Sequence, residues 1–372
     1  MNVSVLCTHM FSARPVLCVP KHKKAPVWYT RSYYFGPLGD PFMVRFILRR
    51  LLLMLPMALV ALTVTFVMVQ LAPGSPFSSQ RRLPPEIEAN LKAKYGFDQP
   101  KLVQYTRYMA RLIGFRYEAH HGYQWQGYPD FGDSTKYKDK SVNQIIKEAL
   151  PVSAVLGLFA YALALVIGLA MGILSAYKQN SWIDHSANGI AMLGIAVPNF
   201  VLGPVLVLIF SLTLYWLPPA RLEWAYEWGY LRIPTLRTLL LPAVTLSALY
   251  VAYIARLTRT GLVETLKQEY IRTARAKGLS EWRVVTVHAL RGAILPVVSF
   301  SGPALAFLLT GTVVVERMFA IPGLGAYFID AANNRDHFLI LGLTAFGAIA
   351  LMFANLAVDL TYALIDPRIR YE

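Results

Sequence analysis

The sequence predicts an all-α protein that crosses a membrane about six times, with a large loop outside the membrane after the first crossing. Of its 372 residues, 56% are hydrophobic and only 15% are charged, well below the roughly 25% charged residues of soluble domains. Mean hydropathy is +0.44. Six apolar segments come near the roughly 20 residues that a helix needs to cross the hydrocarbon layer. They span residues 51–72, 152–176, 187–217, 239–255, 294–315 and 338–358.

Residues 1–42 combine basic and aromatic residues without a clear period. We expect this extension to be disordered, or to precede a true start at Met43. The first crossing, 43–72, has no small-residue cleavage motif after it and is too long for a signal-peptide core, so it is expected to remain as an anchor. Both cysteines, Cys7 and Cys18, precede it. The membrane body therefore cannot carry a disulfide or a cysteine metal site.

Residues 73–150 form the one sizeable soluble segment. Pro85 followed by Glu86 predicts a helix start, and a second helix is expected after Pro100. Residues 117–137 are rich in aromatic residues and glycine, and we expect irregular surface near the lipid headgroups. Loops longer than roughly 60 residues translocate regardless of their charge, so this loop is expected on the external, periplasmic side.

The segment 256–293, between the fourth and fifth crossings, holds eight Lys or Arg residues and three acidic residues. Short basic loops stay in the cytoplasm, and the same rule suits the arginines before the first crossing and in the tail, 367–372. Six crossings then leave both termini in the cytoplasm. The net charge of +15 is explained by cytoplasmic anchoring, with no nucleic acid partner.

The apolar cores contain no Asp, Glu, Lys, Arg or His, because Glu316 and Asp359 come only at the ends of crossings. This disfavours a proton-coupled carrier and an intramembrane protease. The sequence also lacks a Gly-Lys dipeptide, an H-E-x-x-H helix and a G-x-S-x-G elbow. We therefore predict no catalytic residue, no metal site and no cofactor in this chain. A passive pore, a scaffold or a subunit driven by a separate motor remains.

Apolar or small residues recur at every fourth position in the basic segment, at Leu262, Leu266, Tyr270, Ala274 and Gly278. This spacing predicts one helix face that is apolar at one end and small at the other. Arg272, Arg275 and Lys277 would surround it with hydrogen-bond donors. The alternative is a basic amphipathic helix lying on anionic lipid. Small residues allow close approach of a partner backbone, so docking to another protein is favoured.

Several motifs occur together in a fixed order. They are Pro73-Gly74-Ser75-Pro76, Lys94-Tyr95-Gly96-Phe97-Asp98-Gln99-Pro100, Pro198-Asn199-Phe200, Tyr270-Ile271-Arg272-Thr273-Ala274-Arg275-Ala276-Lys277-Gly278-Leu279, Ile294-Leu295-Pro296, Glu316-Arg317-Met318-Phe319-Ala320-Ile321-Pro322-Gly323-Leu324-Gly325 and Asp366-Pro367-Arg368-Ile369-Arg370-Tyr371. From Met43 onward the sequence thereby resembles the permeases of ABC importers, in their dipeptide and oligopeptide branch. The resemblance implies a type I importer permease fold, with a core over 151–366.

The resemblance also implies two functional regions. The first is a short coupling helix seated on an ATP-binding subunit, with Ala274 and Gly278 at the tight contact; its candidate residues are Tyr270, Arg272, Thr273, Ala274, Arg275, Lys277, Gly278 and Leu279. Arg272 and Thr273 replace the usual Glu and Ala, so a Glu-mediated contact is not expected. The second is an external gate or pathway, with candidates Pro198, Asn199, Phe200, Glu316, Phe319, Pro322, Gly323 and Gly325.

Within that branch the sequence resembles the first membrane subunit of bacterial oligopeptide importers. This implies a place in the inner membrane, a second homologous permease chain, two ATP-binding subunits that hold ATP and Mg²⁺, and an external peptide-binding protein. The same architecture importing dipeptides, nickel or another small solute is an alternative, and a scaffold or channel without ATP coupling is another. From its position alone, Glu316 is expected to pair with Arg317 or a partner chain at the membrane surface.

Overall fold

The computed structural model describes residues 41–72, 76–77, 84–118, 122–218, 226–227, 230–231 and 236–365. The predicted extension up to residue 40, the Gly74 motif and the tail 367–372 lie outside the described residues. The helices are α1 (Pro41–Leu71), α2 (Pro85–Tyr95), α3 (Lys101–Leu112), α4 (Val142–Tyr177), α5 (Trp182–Ala196), α6 (Asn199–Leu206), α7 (Leu236–Thr265), α8 (Glu269–Ala276), α9 (Glu281–Arg283), α10 (Leu290–Ala293), α11 (Leu295–Leu309), α12 (Val313–Met318), α13 (Leu324–Asn334) and α14 (His337–Ile365). π-Helical turns follow α6 and α9, over Val207–Thr213 and Val284–Ala289.

The described residues hold five membrane-crossing candidates, or six if a sharply bent pair of helices counts as one crossing. Five stretches are long and apolar enough to span a bilayer, in α1, α4, α7, α11 with α12, and α14. The third predicted crossing, 187–217, is instead a pair of helices, α5 and α6, bent by 107°. The bend falls at Pro198, which cannot donate a backbone hydrogen bond, and Val197 before it takes an extended conformation (ψ 114°).

The centre of the bundle is formed by α4, α7 and α11, around fully buried Leu156, Ile254 and Leu308. Two glycines of α4 let α7 approach closely. A Cβ on Gly168 would lie 2.8 Å from Cβ of Ile254, and one on Gly172 would lie 2.6 Å from Cβ of Thr258. The two helices therefore run side by side in the same direction.

Because α4 and α7 run in parallel, the protein has two distinct ends. The large-loop end contains α2, α3, α13 and the starts of α4, α7 and α14. The basic end contains the segment 256–293, here called the basic loop. Arg50 Nε and Asp359 Oδ2, 3.2 Å apart, join the start of α1 to the end of α14 at the basic end. Both ends of the described chain thus lie there.

At the large-loop end, both predicted helices are confirmed. Pro85 opens α2, and Gly96 ends it in a left-handed conformation (φ 74°) that glycine adopts without strain. The region expected to be irregular contains an antiparallel hairpin of β1 (Phe115–Glu118) and β2 (Gly122–Trp125), with Phe115 opposite Trp125. A second small hairpin pairs β3 (Tyr226–Glu227) with β4 (Tyr230–Leu231).

Candidate functional site

The basic loop is not one continuous helix, so the predicted stripe from Leu262 to Gly278 is wrong. Helix α7 ends at Thr265, a turn follows over 266–268, and α8 starts at Glu269. The four-residue spacing holds only within each helix, and the turn between them changes the direction of the chain. Gly278 lies beyond the end of α8 in a left-handed conformation (φ 77°), with open space around the position of a Cβ.

Helix α8 is attached to the protein's own core through Ile271 and Ala274. They are 0% and 7% exposed and pack with Leu262, Val284 and Ala289. The side chain of Ala274, predicted to form the tight contact with a partner, packs in this chain's own core, and its contact with a partner stays a prediction. The remaining candidates form the outer surface of α8 and its end: Tyr270, Arg272, Thr273, Arg275, Lys277 and Gly278 are exposed, and Leu279 is half-buried.

The charges on this surface are partly paired with each other. Arg275 donates from Nε and Nη2 to the carboxylate of Glu281, at 3.0 and 2.6 Å. This hydrogen bonding holds the pKa of Glu281 below its ordinary value and raises the pKa of Arg275. Arg272 pairs with Glu269 at 2.9 Å in a much more exposed setting. The bidentate pair fixes α8 against α9 and leaves the exposed side of α8 open to a partner.

At the other end of the molecule, Glu316 in α12 is fully buried. Its Oε1 accepts hydrogen bonds from the Ser153 hydroxyl (2.9 Å) and the Thr312 N–H (3.0 Å). Its Oε2 accepts from the N–H groups of Gly325 (2.8 Å) and Ala326 (3.2 Å). One carboxylate thus joins the starts of α12 and α13 to α4, and all four of its neighbours are donors.

The predicted pairing of Glu316 with Arg317 is wrong. Adjacent residues on a helix point in different directions, and Arg317 instead lies 3.2 Å from Asp330 on α13. The turn between α12 and α13 encloses the Glu316 carboxylate closely, since a Cβ on Gly323 would overlap it. Phe319, 2% exposed, anchors this turn in the bundle core.

Two family descriptions match the sequence. The "binding-protein-dependent transport system inner membrane component" matches residues 168–371, and the corresponding N-terminal component matches residues 43–157. The chain belongs to this family. The match covers α8 and the Glu316 turn, so both regions described above lie within the permease portion.

Two bacterial relatives agree with this assignment. The permease is 44% identical over 329 residues to the oligopeptide transport system permease protein OppB of Escherichia coli K12, covering 88% of this chain and 100% of the relative. It is 38% identical over 328 residues to the dipeptide transport system permease protein DppB of Bacillus subtilis, covering 88% and 98%. A solved structure of the inward-facing MetNI methionine ABC transporter aligns with a TM-score of 0.44 and 18% identity, over 60% of this chain and 96% of that chain.

The predicted gate residues fall into two groups in the permease. Pro198, Asn199 and Phe200 lie at the bend between α5 and α6, where Phe200 is 62% exposed. Glu316, Phe319, Pro322, Gly323 and Gly325 lie together at the α12–α13 turn, and Glu316 and Pro322 line a cavity of about 380 Å³ with Tyr137 and Asp330. The two groups are linked where α6 packs on α12, at Gly203 and Met318. Their role in gating stays a prediction.

Sequence reasoning missed an ion pair at the basic end between a buried aspartate and a half-buried arginine. Arg259 on α7 donates from Nε and Nη2 to both oxygens of Asp184 on α5, each at 2.7 Å. Ser175 and the backbone N–H of Asn180 donate to the same carboxylate. The pair ties the α4–α5 turn to the helix that leads into α8. The only sequence signal was an acidic residue at the start of one crossing and an arginine at the end of another.

Among the described residues, no cluster of His, Cys, Asp and Glu could hold a metal ion.

Proposed function

We propose that this permease forms half of the translocation pathway of an ATP-driven importer for oligopeptides. A second, homologous permease chain supplies the other half, two separate subunits bind and hydrolyse ATP with Mg²⁺, and an external binding protein delivers the peptide. The 44% identity to OppB along that relative's entire length carries this proposal. Import of dipeptides is the second candidate, favoured by the 38% identity to DppB.

The orientation follows from the charge of the two ends. The basic loop and both described chain ends share one end of the bundle, and short basic segments favour the cytoplasm. We therefore assign the basic end to the cytoplasm, with both termini inside, and the large-loop end to the external side. The binding protein then meets α2, α3 and α13, and the ATP-binding subunits meet α8.

Coupling is assigned to the exposed side of α8. Its buried side, through Ile271 and Ala274, makes the helix move with α7 and the core. Its exposed side presents Tyr270, Thr273 and Lys277 at helical spacing. When ATP brings the two ATP-binding subunits together, α8, bound to one of them on its exposed side, transmits the movement to the bundle, because packed interfaces shift between discrete arrangements. The two permease chains then alternate between inward-facing and outward-facing states.

A bulky side chain on the exposed side of α8 tests this assignment. Ala276 is exposed, so Ala276→Trp leaves the core intact while blocking close approach of a partner. Overpacking an interface costs about 1–3 kcal/mol, so we expect co-purification of the ATP-binding subunits and uptake of labelled oligopeptides into reconstituted vesicles to fall about tenfold or more. The matched control for co-purification is Ala89→Trp, at an exposed alanine of α2 at the opposite end; uptake is not compared for it, because α2 is assigned to the binding protein.

The outcomes separate the candidate functions. Uptake of tri- to pentapeptides in preference to dipeptides supports the oligopeptide assignment, and the reverse preference supports the dipeptide one. Uptake that continues without ATP, or purification without any ATP-binding subunit, supports a channel or a scaffold. Equal loss of co-purification in the α2 control would remove α8 as the docking element.

A further inference from the structure

A second cavity of about 380 Å³ lies at the large-loop end, between α1, α2, α3 and α14. Phe66 and Gln70 line it from the last turns of α1, and His337 and Phe338 line it from the first turn of α14. Both helices are membrane-crossing candidates that end or begin at this point. The cavity therefore lies at the depth of the lipid headgroups, beside a crossing whose apolar window is only 11% buried.

The cavity is basic. Lys94, Arg107 and Arg111 line it, and its lining contains no acidic residue. The guanidinium of Arg107 lies 4.1 Å from the centre of the Tyr117 ring, and that of Arg111 lies 5.6 Å from the centre of the Phe338 ring. Stacking on aromatic rings holds both cations in place while leaving N–H groups to donate.

Neither arginine forms an ion pair within the part of the chain that the structure describes, although Asp130 and Asp133 interact electrostatically with Arg111. Nε of Arg111 is buried without a hydrogen-bond partner. The neighbouring carboxylates of Asp130 and Asp133 lie 3.8 and 3.3 Å from Arg116 on β1, which does not line the cavity.

His337 supplies a further polar group without a partner. It is 9% exposed, and its Nδ1 is buried with no hydrogen bond to any described residue. The adjacent Asp336 accepts from Ser134 and from the backbone N–H of Thr135 and Leu339. Buried polar atoms are normally paired, so the cavity combines an unpaired imidazole nitrogen with two guanidinium groups that form no ion pair with a described residue.

We propose that this cavity binds the phosphate group of an anionic phospholipid, held by Arg107 and Arg111. Arginine matches the geometry of phosphate oxygens with two parallel N–H bonds, and basic pockets between membrane helices are suited to acidic headgroups. The acyl chains lie along one face of α1, where Val64, Met68 and Leu71 are 51%, 66% and 77% exposed. The lipid thereby joins α1 to α3 and α14, and this role is independent of which solute the permease transports.

The test measures retained lipid on the full-length chain, purified in detergent with the subunits that co-purify. Native mass spectrometry with added phosphatidylglycerol or phosphatidylcholine gives the affinity for each lipid. We expect the wild type to bind phosphatidylglycerol more tightly. Because Arg107 would donate charge-assisted hydrogen bonds to the phosphate, Arg107→Gln should weaken phosphatidylglycerol binding about tenfold. Arg107→Gln with Arg111→Gln should weaken it further. Arg116→Gln, which removes the same charge outside the cavity, should not change it.

Three results would overturn the proposal. The first is equal binding of the two lipids by the wild type. The second is equal loss in Arg116→Gln and Arg107→Gln, which would reduce the effect to net charge. The third is displacement of phosphatidylglycerol by millimolar inorganic phosphate or by a free acidic peptide, which would assign the site to a soluble anion. Arg107 is the decisive position if the double variant fails to fold, because its side chain lies on the Tyr117 ring and its substitution leaves half-buried Arg111 in place.

Discussion

Two buried carboxylates hold opposite ends of the permease, and they are satisfied in different ways. Asp184 at the basic end is paired with a cation, because Arg259 donates to both of its oxygens. Glu316 at the large-loop end receives only neutral donors, the Ser153 hydroxyl and three backbone N–H groups. A side-chain partner can be removed by substitution, whereas a backbone N–H cannot. The carboxylate at the basic end is therefore held mainly by a side chain, Arg259. The carboxylate at the large-loop end is held mainly by backbone N–H groups, whose positions depend on the path of the chain.

This difference matters for the proposed transport cycle. The Glu316 bonds connect α4, α12 and α13 through four donors, so this turn can change shape only if several bonds break together. The Asp184–Arg259 pair connects α5 to α7 near α8. We therefore expect the Glu316 turn to move as a rigid unit, and the pair at the basic end to transmit motion between crossings.

The largest effect is expected for Glu316→Gln. The amide keeps the shape of the side chain but places an –NH₂ group against donors, which leaves buried N–H groups unsatisfied at about 1–3 kcal/mol each. Each carboxylate oxygen accepts two hydrogen bonds, so a loss of about 4 kcal/mol in the free energy of unfolding is expected, measured by thermal and denaturant unfolding in detergent. The control is Asp330→Asn at the same end, a partly exposed partner of Arg317, which should cost below about 1 kcal/mol. Equal losses of stability in Glu316→Gln and Asp330→Asn would contradict the explanation that unsatisfied buried N–H groups destabilise the Glu316 variant.

A smaller effect, and one that can be reversed, is expected at the other carboxylate. Breaking a buried pair by removing one partner costs about 3–5 kcal/mol, whereas replacing both partners with apolar residues is often neutral. Asp184→Leu or Arg259→Leu alone should therefore destabilise the permease by about 3 kcal/mol, and the double variant should recover about half of that loss. Recovery is incomplete because Ser175 and Asn180 also donate to Asp184. A double variant as unstable as the two single variants added together would show that the two residues act independently.

The sequence predicts the crossings better than the sites, for a physical reason. Apolar length alone locates the membrane helices, and local signals such as Pro85 locate helix starts. The Asp184–Arg259 pair joins residues 75 positions apart, and no local pattern indicates that they meet. The stripe through the basic loop fails because a four-residue spacing continues across the turn after Thr265, where the helix does not.

For Glu316, the local sequence pattern suggested a partner that the folded protein does not use. Its position at the end of a crossing, beside Arg317, indicated a surface pair. Its real partners include Ser153 on α4 and the N–H groups that begin α13, which come together only when the bundle folds. The motif that contains it was recognised from the sequence, but its structural role depends on contacts across three helices.

The smallest effect is expected for the exposed pair of Arg275 and Glu281, whose side chains are 41% and 45% exposed. Pairing lowers the pKa of Glu281 from its ordinary 4.5, whereas the pKa of Arg275 rises from a value that is already high. The pair should therefore stabilise α8 fully above the ordinary pKa of Glu281, and this stabilisation should be lost as the pH falls through the lowered value. Exposed pairs contribute about 0.2–1 kcal/mol. Unfolding midpoints of the wild type and Glu281→Gln should thus differ slightly at neutral pH and converge in acid or at high salt, while Glu269→Gln, in the more exposed pair, should match the wild type throughout. A wild-type advantage that persists in acid would assign the stability of α8 to its packing through Ile271 and Ala274 alone.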